Sequence, residues 1–363
     1  MLIQAPDPLE MVEIADDEVR FNDQPRRQRS LTIVEWREYA AAAAVGVHLA
    51  VLLRLVLDWD DLMGTALVAY LGSIAALYTL VNARTGAQLA LDRLVTTVVW
   101  SIGAAVVAVL GWALAMVLIK GIPQFRPGFL FNDLSTVSAL DKGGGALHGI
   151  IGTFEQVGLA TMAFVPISIL TAVYLNEIRG RLAGTVRFFT DALSGVPSIV
   201  CGLLVFALFP GYSGLRAALA LMILAIPIVT RASEEILRTV GDPLREAGLA
   251  LGSPQWRVVA RIVLPTARAG LLTATILGIA RCAGETAPVI LTALGSSSTN
   301  TNPLSEPQAN LALMVFDLAR QPDKTQIERA WTTALVLMMI VLILFGTARW
   351  ISARGDKRLG RRR

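Results

Sequence analysis

The stretch GDPLREAGLALGSPQWRVVARIVLP, residues 241–265, interrupts a strongly apolar chain with a surface pattern that carries Arg245, Glu246, Arg257 and Arg261. Its punctuation divides it into two short helices. Asp242 is placed to cap the first, with Pro243 at the first helical position, where a missing N–H costs nothing. Gly252 is placed to end that helix in a left-handed conformation, and Ser253-Pro254 to open the second. Pro265 is expected to stop the second helix near Leu264. The stretch therefore reads as a helix-turn-helix between two membrane spans, a surface on which a partner could dock.

Composition fits that reading. The chain has 363 residues, 54% hydrophobic and 17% charged, with mean hydropathy +0.59. Soluble domains carry about 25% charged residues, so this is a multi-span membrane protein. Its net charge of +4 calls for no nucleic-acid partner. The two cysteines, Cys201 and Cys282, fall in apolar runs, and His48 and His148 are the only histidines. No disulfide framework, metal site, catalytic constellation or cofactor is indicated. The glycine run 143–145 follows Lys142 but lacks the ending of a phosphate-binding loop, so ATP hydrolysis is not expected of this chain alone.

Holding apolar runs to the roughly 20 residues a bilayer requires gives eight spans. They cover about 39–57, 62–81, 94–119, 148–176, 192–209, 215–233, 270–294 and 330–348. An acidic tail, 1–37, precedes them and a basic tail, 353–363, follows. Placing both termini in the cytoplasm puts 22 of the 32 Lys and Arg residues on that side. This asymmetry is the positive-inside rule, and it places residues 241–265 in the cytoplasm, where ATP is.

Charges inside spans are expensive and mark function by default. Arg281 is expected near the middle of the seventh span, with Glu285 four residues on along the same helix face. Arg231 lies near the cytoplasmic end of the sixth. One reading is a cationic path for an oxyanion suited to the planar guanidinium fork, with Glu285 preventing a trap. The other is an ion pair locking two helices, with Arg231 reaching out to the interface.

Two resemblances narrow the choice. Glu246-Ala247-Gly248, then Gly252, and nine residues later Ile262-Val263-Leu264-Pro265, resembles the EAA loop of ABC-importer permeases, with Gly248 standing where a second alanine is usual. Arg281-Cys-Ala-Gly284-Glu285-Thr286-Ala287-Pro288 resembles the R-x-x-GETAP segment of the PstA-type permease family of bacterial phosphate ABC importers. Gly195-Val196-Pro197-Ser198-Ile199-Val200, Gly149-Ile-Ile-Gly152-Thr153 and residues 226–235 resemble further segments of that family.

The resemblance implies an all-α, polytopic membrane protein with the type I ABC importer permease fold, its six-span core at about 94–352. A two-span hairpin, 38–93, is then an N-terminal addition of unassigned role. By the same resemblance Glu246, Ala247, Gly252, Leu264 and Pro265 form the coupling loop that docks on the ATPase, and Arg231, Arg281 and Glu285 line phosphate passage. The implied partners are a C-type phosphate permease subunit as heterodimer, two ATP-binding subunits and an extracytoplasmic phosphate-binding protein. The implied location is the bacterial cytoplasmic membrane. The rival cargoes are sulfate, molybdate or another oxyanion. The rival class is a secondary transporter, which needs no docking loop and often shows internal repeats.

Overall fold

The computed structural model describes residues 32–138, 141 and 143–360, and these are almost wholly helical. The chain divides into two compact units, 1–110 and 111–363. The acidic tail expected at 1–31 lies outside the described residues.

In the first unit, α1 (Ile33–Leu57) and α2 (Leu62–Thr85) form an antiparallel pair. Thr32 and Glu35 start α1 as a reciprocal capping box, so residues 33–37 are helix rather than tail. Asp61 caps α2 through the Met63 and Gly64 N–H groups. The buried stripe Ala42, Gly46 and Ala50 lets the backbones approach, and a Cβ on Gly46 would overlap the Ala69 carbonyl and Ser73. Buried Glu38 accepts from Arg84 at 3.2 Å and Arg93 at 2.6 Å, and Arg93 also reaches Glu35 at 2.8 Å. These carboxylates tie α1 to α2 and to the start of α3 (Ala87–Gly121).

In the second unit the core is built on α4, which runs Leu147–Ile178 and ends in a π turn, and α7 (Gly214–Arg238). Phe164, Leu221 and Val229 are fully buried between them. A third long helix, α9 (Gln255–Ala283), packs in through Gly278, where a Cβ would overlap Val229 and crowd Phe164. The last helix, α12 (Lys324–Gly360), holds the end of α3: Thr332 donates to the Gly121 carbonyl at 3.1 Å. Shorter helices complete the unit: α5 (Ala183–Ser194), α6 (Ser198–Leu208), α8 (Asp242–Ala250), α10 (Ala287–Thr292) and α11 (Leu311–Ala319).

Among the described residues seven helices are long and apolar enough to cross a membrane, and the protein is a multi-pass membrane protein. The eighth expected span, 192–209, is not a straight helix. It breaks at Gly195-Val196-Pro197, where Pro197 cannot donate and biases Val196 away from helix. Helices α5 and α6 meet there at 105°. With eleven residues, α6 extends only about 16 Å.

The seventh expected span, 270–294, is also redrawn. The helix begins far earlier, at Gln255, and stops at Ala283 with Gly284 as its cap; α10 follows as a separate short helix. Pro265 does not end the preceding helix, as the sequence suggested. A π turn at Val259–Val263 widens the backbone over the carbonyls that the proline leaves without a donor, and the helix continues through it.

Candidate anion path and docking loop

The stretch expected to dock consists of α8, a turn and the first part of α9. Gly241, not Asp242, is the N-cap residue of α8, and it gives no side-chain bond. Asp242 is the first helical residue, and its carboxylate instead accepts from Arg245 at 3.1 Å. Gly252 ends the turn at φ +76°, a left-handed conformation that glycine adopts without penalty.

Arg245 anchors this helix to α4. Its fork meets the Glu177 carboxylate at 2.8 and 3.0 Å, and it also donates to the Leu237 and Val240 carbonyls. The Glu177 hydrogen bond, acting against burial, raises the Arg245 pKa further above its ordinary value. Gly248 is buried where α8 crosses α9, and a Cβ there would come within 2.8 Å of Ile262 and 3.1 Å of Val258. An alanine there, as in the resembling pattern, would need only the end of the Ile262 side chain to shift.

The outward face is different in kind. Glu246 and Ala247 are exposed, as are Leu244, Leu249, Leu251 and Trp256, with Leu251 87% accessible. Four large apolar side chains are thus exposed on an otherwise polar stretch. Leu264 and Pro265 lie inside α9 beyond the π turn, whereas Glu246 and Ala247 are on α8 and Gly252 is in the turn.

The two intramembrane arginines lie in contrasting settings. Arg231 on α7 donates to Glu234 at 2.9 Å and is paired with Asp191 of α5. Glu234, whose side chain is 2% exposed, also takes Arg187 at 2.5 Å and Arg238 at 2.7 Å. Three arginines therefore share one buried carboxylate. Arg281 is in the last turn of α9 rather than mid-span, its side chain half-exposed. Its Nε is 3.8 Å from Glu285, which lies in the break after the helix and not on its face. The Glu285 and Gly284 N–H groups bond to the Cys282 and Arg281 carbonyls, so the break is closed by turn geometry. A cation here complements the negative end of the helix.

The motif segments pack on one another. Gly202 of α6 comes so close to Pro288 of α10 that a Cβ would be 2.7 Å from its Cα, joining the segment after Pro197 to the one after Glu285. Gly152 of α4 faces the Ala309 carbonyl without room for a Cβ, and Thr153 accepts from the Leu311 N–H at 2.9 Å. Gln156 bonds to Gln308, Ala309 and Asn310, while Glu155 accepts from Gln308 at 2.5 Å. Glu155 thus helps to hold the 300–310 loop on α4. Asp133 ties the other loop through Ser135 and Thr299, and these bonds, that to Ser135 foremost, hold its pKa at about 2.

Glu234 and Glu177 were not singled out by the sequence. The Arg231-Glu234-Arg238 spacing of three and four residues was readable on a helix, but Arg187, Asp191 and Glu177 are brought in from other helices.

Comparison with known proteins gives the family. The chain is 39% identical over 237 residues to the phosphate transport system permease protein PstA 1 of Mycobacterium tuberculosis, covering 63% of this chain and 78% of that protein. It is 38% identical over 239 residues to PstA of Pasteurella multocida, covering 64% and 84%. A solved structure of the inward-facing MetNI methionine ABC transporter is similar at 18% identity and TM-score 0.46, covering 58% of this chain and 94% of that one. Residues 164–357, from mid-α4 through α12, match the family described as binding-protein-dependent transport system inner membrane component, and to that family the chain belongs.

Proposed function

We propose that the chain is the membrane-spanning permease subunit of an ATP-driven importer of inorganic phosphate, coupling ATP hydrolysis by a partner subunit to translocation. The observation that carries the transport route is Arg281. It is a half-exposed guanidinium at the broken end of a membrane helix, held by one carboxylate at 3.8 Å and so not sequestered. The names of the relatives supply the cargo, and a phosphate oxyanion matches the guanidinium fork.

The coupling loop is the exposed face of α8 and its turn, with Glu246 as the polar contact and Leu249, Leu251 and Trp256 as the apolar ones. Both termini and this loop face the cytoplasm, by the distribution of basic residues. ATP-binding subunits dock there, a second permease subunit completes the path, and an extracytoplasmic binding protein delivers phosphate to the opposite side. Alternating access then follows from movement of α8, which Arg245 transmits to α4 through Glu177.

Radiolabelled phosphate uptake by vesicles carrying the assembled transporter tests this reading. Arg281→Ala should lose uptake by about a hundredfold while still assembling with the ATPase, since a transition-state contact worth about 3 kcal/mol is removed. Unchanged uptake would remove Arg281 from the path. Glu246→Arg should lose co-purification of the ATPase subunit, or ATPase activity coupled to transport. Retention of both would remove Glu246 from the docking contact.

A further inference from the structure

A cavity of about 550 Å³ opens beside α8, and none of Arg231, Arg281 and Glu285 lines it. Four elements converge on it: the π turn of α4, the start of α5, the end of α7 and the start of α8. Its charged lining is Arg179, Arg187, Arg238 and Arg245, with Asp242 as the sole carboxylate. The volume is within the range of ligand sites, roughly 300–1,000 Å³.

The carboxylates that partner these arginines are set behind the wall. Glu234 and Glu177 are 2% and 5% exposed, whereas Arg187 and Arg238 present 43% and 55% of their side chains. Glu234 serves both Arg187 and Arg238, and among the described residues no carboxylate pairs with Arg179, so positive charge is left at the cavity surface. The Arg187 Nε is buried with no hydrogen-bond partner, and exposed Arg179 uses its own Nε only on the Asn176 carbonyl at 3.0 Å. Helix α5 also begins here, at Ala183 and Gly184, with no side chain capping its N-terminus. The Leu182 and Ala183 N–H groups are taken by the Tyr174 hydroxyl and the Gly180 carbonyl, so it is the helix dipole, with the next N–H groups of the first turn, that favours an anion at that end.

We infer that this cavity binds a phosphate group from the cytoplasmic side, either as free inorganic phosphate or as the headgroup of an anionic lipid. Because Asp242 and Arg245 belong to α8, an occupant that draws on Arg245 changes how that helix is held against Glu177. Occupancy is therefore a control on coupling, exerted from the compartment into which phosphate is delivered. The orientation rests on the function proposed above.

The test uses the assembled transporter in lipid nanodiscs, without nucleotide or binding protein, and two arms. The first measures binding of radiolabelled inorganic phosphate in neutral phosphatidylcholine discs. The second compares ATPase rates in those discs and in discs containing phosphatidylglycerol. Arg179→Gln, which disturbs no ion pair, should weaken phosphate binding severalfold, and Arg179→Gln with Arg238→Gln by about tenfold or more. Such a loss identifies free phosphate as the occupant. An ATPase response to phosphatidylglycerol that is present in the wild type and absent in the double variant identifies a headgroup. If the double variant matches the wild type in both arms, the cavity binds no phosphate group and the inference falls. Uptake by the wild type in that case leaves the permease reading standing; absence of wild-type phosphate uptake would overturn that reading separately.

Discussion

Arg231 and Arg281 look alike in the sequence, each an arginine inside an apolar run with acidic residues three or four positions on. Their surroundings make them opposites. Arg231 is one spoke of a cluster in which Glu234 collects Arg187, Arg231 and Arg238, while Asp191 takes the far side of Arg231. Arg281 has one carboxylate, beyond hydrogen-bond distance at 3.8 Å, and a half-exposed side chain. A charge within a span reports only that something must compensate it; what compensates it decides whether it holds helices or remains available to cargo. The Glu234 cluster ties α5 to α7, and the Arg281 pair ties α9 to nothing beyond its own end.

The sharpest test of that difference is Glu234→Gln. Removing the buried charge leaves three guanidiniums facing one another with a neutral amide, and breaking a buried ion pair costs about 3 kcal/mol or more. The partners are partly exposed, so the low end applies. Thermal denaturation of the purified complex should show a large fall in midpoint, with α5 released first. An unchanged midpoint would mean the cluster is ornamental and would erase the contrast. Arg231→Ala should be milder, about 1 kcal/mol, because Glu234 keeps Arg187 and Arg238 and half-exposed Asp191 is returned to water.

Much of the fold could be read in advance because a bilayer imposes length and apolarity, and seven of the eight expected spans reappear as long helices with shifted ends, that at 270–294 shifted most. What escaped was backbone detail at prolines. Pro197 breaks a helix and Pro265 does not, although both look like stops. The difference is that Val259–Val263 adopts a π turn, a tertiary outcome with no sequence marker of its own. In the docking loop, Gly252 behaved as its chemistry required, whereas Asp242 chose Arg245 over the helix N-terminus once Arg245 was fixed by Glu177. Arg231 was read as a charge in a span and Arg245 as part of the polar loop, but their partners on α5 and α4 come from 40 and 68 residues away, Asp191 and Glu177.

The smallest expected effect completes the comparison. Arg281→Ala should change the melting midpoint of the assembled complex scarcely at all, by the equivalent of about 0.5 kcal/mol. A half-exposed pair at 3.8 Å contributes little, and the remaining favourable term is the interaction of a cation with a helix C-terminus, about 0.3–1 kcal/mol. Set against this is relief from holding an uncompensated guanidinium at the edge of an apolar bundle, which acts in the opposite direction. The turn at Gly284 and Glu285 is closed by backbone bonds to Arg281 and Cys282 that an alanine retains. Hence α9 should keep its end and α10 its place against Gly202. A midpoint loss as large as that of Glu234→Gln would make Arg281 a structural residue like Arg231, and the difference between the two arginines would vanish.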